Sequence, residues 1–178
     1  MKIVLTGKIG IGKTHICKKL VEQTKKVHAF SCSGIITHQE KQGKPSNLLI
    51  EDLSTGERRV FAYRKPVNTQ EIVKGIPFCD FIFDRSTIEF AKEALHKPGD
   101  LLIIDEIGYL EMEGKGITNA ISAFQSNQNK HSILVVRYEL KDTISAMLNC
   151  SFELFEVNQK NRDTLPELFL KKMVKPIS

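Results

Sequence analysis

Lys13 and Thr14 close the run Gly7-Lys8-Ile9-Gly10-Ile11-Gly12-Lys13-Thr14, a complete G-x-x-x-x-G-K-T pattern. An ammonium and a hydroxyl in succession, behind a glycine-rich turn, suit the binding of a polyphosphate together with its divalent cation. Backbone N–H groups of residues 7–14 wrap the phosphates, Lys13 reaches the β- and γ-phosphates, and the Thr14 hydroxyl ligates Mg²⁺. A side chain at Gly12 would stand where phosphate must sit. Far downstream, Asp105-Glu106 ends the apolar run Leu101-Leu102-Ile103-Ile104. Asp105 is expected to complete the Mg²⁺ shell, and Glu106 to orient or deprotonate an attacking water near the γ-phosphate.

These residues need particular elements behind them. Lys2-Ile3-Val4-Leu5-Thr6 reads as a short apolar strand leading into the glycine loop. After Thr14, the apolar residues Ile16, Cys17, Leu20 and Val21 share one helical face, with Lys18 and Lys19 opposite and Lys25 and Lys26 near the carboxyl end, where cations favour the dipole. Strand, loop and helix N-terminus thus stand in the order anion binding requires. The continuous apolar run 101–104 suits a strand buried on both faces. Two acids in succession favour a hydrolase, which must activate water, over a kinase, which must exclude it and hold a second substrate; no arginine-rich lid follows the helices. A nucleotide or small-molecule kinase, with its acceptor near 64–79, and a nucleotide-dependent switch or binding module are the alternatives.

The rest of the chain alternates strand and helix. Segments near 33–40, 47–53 and 58–63 are β-prone and separated by short polar turns, as in an antiparallel meander inserted in an α/β protein. Arg64 to Pro77 is either a mobile loop or a short helix around 69–74. Asp80 to Asp84 reads as a strand, and Ser86-Thr87-Ile88-Glu89 as a capping box opening a helix that ends before Pro98-Gly99. Ile117, Ala120, Ile121 and Phe124 mark an amphipathic helix; strands near 132–136 and 153–157 flank another around 141–148, and a last helix starts near Asp163 or Thr164. The expected architecture is α/β, a mainly parallel twisted sheet with helices on both faces and an antiparallel meander insertion.

At 178 residues, with 41% apolar and 26% charged residues, the chain is expected to form one globular domain over 1–178. No apolar run approaches the ~20 residues a bilayer needs, and Met1 leads directly into the first strand, so the cytoplasm is the expected location. The cysteines at 17, 32, 79 and 150 form no C-x-x-C pair and read as small buried apolar residues. A net charge of +5 and a pI near 9.0 suit a nucleic-acid partner, but the lysines are spread along the chain, and a local field for nucleotide phosphates explains the charge equally well. Nothing in the sequence identifies a protein partner.

Four segments together, Gly7 to Thr14, Ser33-Gly34-Ile35-Ile36-Thr37, Ile104-Asp105-Glu106-Ile107-Gly108 and Asn161-Arg162-Asp163-Thr164-Leu165, resemble the THEP-type nucleoside-triphosphatase family over nearly the whole chain. The resemblance implies a RecA-like phosphate-loop enzyme that hydrolyses ATP, GTP and other nucleoside triphosphates slowly with Mg²⁺. It implies Lys13 and Thr14 on phosphate and metal, Asp105 on Mg²⁺ and Glu106 as base. The loop after the last strand of such sheets lies beside the phosphate loop, so Asn161 and Arg162 could face the base or ribose; Arg162 equally suits an ordinary surface salt bridge. Where relatives often end the strand after the acidic motif in His-Arg, this chain has Val136-Arg137, leaving Arg137 either as a cation near the γ-phosphate or as a surface arginine opening a helix. Lys8 adds a charge at the loop's rim, and segment 64–79 departs from the family pattern. His15 is expected to pack or face solvent, and Glu111 matches the family without a role that spacing supplies.

Overall fold

The computed structural model describes residues 1–27, 30–40, 46–65, 75–126 and 128–174. Strand β1 (Lys2–Thr6) leads through the glycine loop into α1 (Lys13–Val27), then β2 (Cys32–Gln39), β3 (Leu48–Asp52), β4 (Arg58–Arg64), β5 (Gly75–Phe78) and β6 (Phe81–Asp84). Helix α2 (Arg85–Ala94), β7 (Leu101–Ile107), α3 (Tyr109–Met112), α4 (Ala120–Gln125), β8 (His131–Val136), a 3₁₀ turn (Tyr138–Leu140), α5 (Lys141–Met147), β9 (Glu153–Glu156) and α6 (Leu165–Val174) complete the order.

Among the described residues nine strands join one sheet in the order β5-β6-β4-β3-β2-β7-β8-β1-β9. From β2 to β9 every pairing is parallel. From β2 outward to β5 every pairing is antiparallel, so the meander widens the parallel sheet at one side. In the parallel strands, side chains alternate between two cores, as a period of two requires. Val4, Leu102, Ile104, Leu134 and Val136 pack with α2, α4 and α5 on one face. Ile3, Leu5, Leu101, Ile103, Ile133 and Val135 pack with α1 and α6 on the other. Each parallel strand therefore delivers its carboxyl end to one edge, which carries the phosphate loop after β1 and the acids at the end of β7.

Several expectations are refined. The β7 strand runs three residues past the apolar run, to Ile107. The end of the stretch from Arg64 to Pro77 is instead strand: Gly75–Phe78 pairs antiparallel to β6 and lies at the sheet border, where Pro77 costs no central ladder bond. The alternatives of loop or helix at 69–74 fall outside the described residues. The cap of α2 is Asp84 rather than Ser86: its Oδ1 accepts from Thr87 N at 2.8 Å, and Ser86 Oγ also donates to it. The helix marked by Ile117 begins three residues later, at Ala120. Cys17 and Cys32 are buried as expected, but Cys79 is exposed and Cys150 half-buried. Among the described residues no helix is long and apolar enough to cross a membrane.

Gly34 in β2 sits at φ +92° directly against β7, where a Cβ would collide with the Ile103 carbonyl oxygen and stand 2.9 Å from Leu102 Cδ1. Both the backbone angle and the close approach demand glycine. Gly34→Ala is expected to cost about 4 kcal/mol of stability or more, read from the midpoint of urea unfolding; an unchanged midpoint would show that the two strands can part without penalty.

Candidate functional site

The loop between β1 and α1 takes backbone angles that favour glycine, with φ of +146° at Gly7, +76° at Gly10 and +114° at Gly12. A Cβ on Gly7 would lie 2.9 Å from the Val157 carbonyl oxygen, so the loop is pressed against the exit of β9. Lys8 and Ile9 form the rim, Ile9 being 77% exposed, while Ile11 packs against the α1 and α6 core. Lys13 Nζ donates to Gly7 O at 2.6 Å and Lys8 O at 3.2 Å, tying the helix start to the loop's first residues. Burial draws the Lys13 ammonium below its ordinary pKa, while Glu106 and Asp105 oppose that shift. A cavity of about 210 Å³ is walled by Gly10, Gly12, Lys13, Thr14, Asp105 and Glu106. The structure thus brings the loop and both acids to one place.

The two acids have opposite surroundings. Asp105 is 1% exposed. Its Oδ1 accepts from Thr14 Oγ1 at 3.2 Å, and its Oδ2 from Thr37 Oγ1 at 2.8 Å and Thr37 N at 3.1 Å. Desolvation raises its pKa, Glu106 adds to the rise, and the hydrogen bonds from Thr37 and Thr14 counter it. Thr37 therefore fixes the carboxylate from the end of β2. Its only signal in the sequence was membership of the segment 33–37, since the contact depends on the pairing of Ile35 with Ile104.

A charged group held in so dry a place weakens the fold. Asp105→Asn, which can keep the bonds to Thr37 and Thr14, is expected to raise stability at neutral pH. Because the folded-state pKa is raised, this advantage belongs to the pH range above the carboxyl's titration and shrinks as pH falls through it. Thermal unfolding of both proteins across pH, without divalent cations, reads the effect; an Asn variant less stable than wild type at neutral pH would contradict it.

Glu106 escapes burial through a break in the strand. The β7–β8 register shifts between Ile104 and Ile107, and Glu106 takes φ +69°. Bulges of this kind re-aim a side chain, and a non-glycine residue at positive φ carries strain of about 1 to 2 kcal/mol. Glu106 consequently faces out beside Lys13 while its neighbour faces in. Arg137, directly after β8, places a guanidinium nitrogen 3.5 Å from Glu106 Oε1 and stacks over the Tyr109 ring at 5.8 Å. It also opens the 3₁₀ turn at 138–140, the place that the second alternative gave it. Glu111, which spacing left without a role, holds the acidic turn: its carboxylate accepts from Gly108 N at 2.9 Å and Ile117 N at 3.1 Å. Burial raises the Glu111 pKa, against those two bonds.

On the far side, the segment after β9 borders the loop. Arg162 Cδ lies 3.8 Å from the position of a Cβ on Gly12, and its Nε stands 3.6 Å from Asp163 Oδ2. Asn161 uses both ends of its amide on the turn itself: Nδ2 donates to Glu156 O and Oδ1 accepts from Asn158 N, each at 2.9 Å. Arg162 is thus beside the loop, with Asn161 shaping the turn that puts it there. His15 is exposed on α1.

The donor set suits Mg²⁺. Thr14 Oγ1 and Asp105 Oδ1 are adjacent hard oxygens, and Mg²⁺ is bound through one or two protein oxygens with substrate phosphates and waters completing its shell. Among the described residues no cluster of three or more His, Cys, Asp or Glu side chains could form an all-protein cage.

A glycine loop leading from the first strand into a helix, with an acid-ended parallel strand two positions away across β8, defines a phosphate-loop protein. The chain belongs to the family described as NTPase, whose model matches residues 2–170. It is similar to Nucleoside-triphosphatase THEP1 of Natranaerobius thermophilus, with 32% identity covering 96% of this chain and 95% of that protein. It is likewise similar to Nucleoside-triphosphatase THEP1 of Methanosarcina acetivorans, at 25% identity and 99% of both chains. The crystal structure of THEP1 from Aquifex aeolicus has the same fold, with a TM-score of 0.73 at 21% identity, covering 98% of this chain and 100% of that one. The THEP-type resemblance read from four short segments therefore holds across the full length.

Proposed function

We propose that this chain is a Mg²⁺-dependent nucleoside-triphosphatase that acts as one phosphate-loop domain, cleaving ATP, GTP and related triphosphates to the diphosphate and phosphate. The carrying observation is the division of labour between adjacent acids at one cavity: Asp105 buried and bonded to Thr14, Glu106 turned out beside Lys13. The family and its curated relatives support the same chemistry.

In this reading the loop amides and Lys13 hold the β- and γ-phosphates, and Thr14 with Asp105 holds Mg²⁺, which neutralises phosphate charge when bound. Glu106 accepts a proton from water as the water oxygen bonds to the γ-phosphorus, and the bond from phosphorus to the bridging oxygen breaks toward the diphosphate. Arg137, paired with Glu106, keeps a cation beside the forming charge, and Arg162 borders the nucleotide from the β9 side. Phosphate release from Mg²⁺-ATP and Mg²⁺-GTP, followed with and without a chelator, tests the proposal. Release that stops on chelation is expected; binding without any release would remove hydrolysis from the account.

A further inference from the structure

The antiparallel extension builds a second cavity against the first. Leu48 of β3, Phe61 of β4, Phe78 of β5, and Phe81 and Phe83 of β6 wall, with Tyr109, a space of about 280 Å³. The rings of Phe61, Phe81 and Phe78 surround Phe83, at centroid distances of 5.1, 6.2 and 6.5 Å. Phe78, Phe81 and Phe83 are only half-buried, so this aromatic cluster is a lining rather than a closed core. Its volume lies near the lower end for small-molecule sites, about 300 Å³.

Thr37, Glu106 and Arg137 belong to the same wall. Glu106 also lines the phosphate cavity, and Thr37 holds Asp105, which lines it too. The two cavities therefore meet at the one carboxylate that the bulge turns outward. Arg137 Nε is buried with no hydrogen-bond partner among the described residues, a donor left for an acceptor atom on whatever fills the space.

We propose that this aromatic cavity is an acceptor subsite, and that the chain transfers the γ-phosphoryl group to the hydroxyl of a flat aromatic or heteroaromatic molecule bound there. The inference rests on the nucleotide reading of the phosphate loop. The acceptor oxygen bonds to the γ-phosphorus, the bond from phosphorus to the bridging oxygen breaks, the electron pair leaves with the nucleoside diphosphate, and the acceptor's proton passes to Glu106. Ring stacking fixes the acceptor and keeps water from the same carboxylate. A ring nitrogen or carbonyl oxygen answers Arg137 Nε. Hydrolysis is the outcome when water takes the acceptor's place.

The test incubates the full chain with Mg²⁺-ATP labelled at the γ-phosphate and a mixture of isomeric quinolinemethanols, two-ring alcohols with one ring nitrogen, and separates organic phosphate from free phosphate. The expected result is a labelled quinolinylmethyl phosphate whose share of product rises saturably with alcohol. Phe78→Ala should lower that share about tenfold, with Phe78→Leu between it and wild type. Free phosphate formed at its usual rate with no organic phosphate overturns the acceptor assignment and leaves the triphosphatase standing. Neither product, with no nucleotide bound, overturns both.

Discussion

Lys13→Ala is expected to weaken Mg²⁺-ATP binding by about 10²-fold and to abolish measurable turnover. Each charge-assisted hydrogen bond to phosphate contributes about 1.5 to 3 kcal/mol, and every 1.4 kcal/mol is about tenfold in affinity. In this structure the ammonium bonds the Gly7 and Lys8 carbonyls and so holds the loop's first turn against the start of α1. The variant loses both the charge and the clasp. Titration calorimetry with Mg²⁺-ATP, with far-UV circular dichroism as a control for folding, measures the loss. Affinity within about threefold of wild type, on the same scale, would place the phosphates elsewhere.

Glu106→Gln should separate binding from chemistry. The amide keeps the side chain's shape and can still meet Arg137, but it cannot take a proton, so kcat is expected to fall by about 10² to 10⁴ with nucleotide affinity nearly unchanged. The contrast with Asp105 sharpens the test. Asp105 is bonded to Thr14 and Thr37 on both carboxylate oxygens, so Asp105→Asn changes the charge beside Thr14 even where those bonds persist, and in the proposed reading it weakens the cation site. Among the described residues Glu106 makes neither of those bonds and meets Arg137 at 3.5 Å, a contact the amide can keep. Single-turnover phosphate release, alongside equilibrium binding, distinguishes the two acids; wild-type turnover by the Gln variant would show that another group accepts the proton.

What could be read before the structure was local. The glycine loop, its flanking strand and helix, and the apolar run ending in acid are each contiguous, and their chemistry follows from residue type at short spacing. Thr37 was different: it meets Asp105 only because β2 pairs beside β7 in a particular register, which no local pattern specifies. The outward turn of Glu106 depends on a bulge, and strict alternation along β7 gives no warning of one. Gly75-Ile76-Pro77-Phe78 reads as chain-breaking by propensity, yet pairing with β6 makes it a strand. At α2 the expected cap, Ser86, gives way to Asp84, whose carboxylate takes both the Thr87 amide and the Ser86 hydroxyl. The aromatic cavity draws on residues of six strands, β2 to β7, and of α3, so its members are scattered from position 37 to 137.

The borders of the sheet set how far it can grow. At one side stands β5, four residues long and interrupted by Pro77, which has no amide hydrogen to offer another strand. At the other stands β9, also four residues, whose Glu153 and Glu156 are held by Lys172 of α6 at 2.5 Å and Lys141 of α5 at 3.7 Å. A second copy trying to add a strand there meets charged side chains already engaged along a very short ladder. A sheet that is hydrophobic on both faces and, among the described residues, nine strands wide thus ends on each side in a short border that is a poor template for another chain.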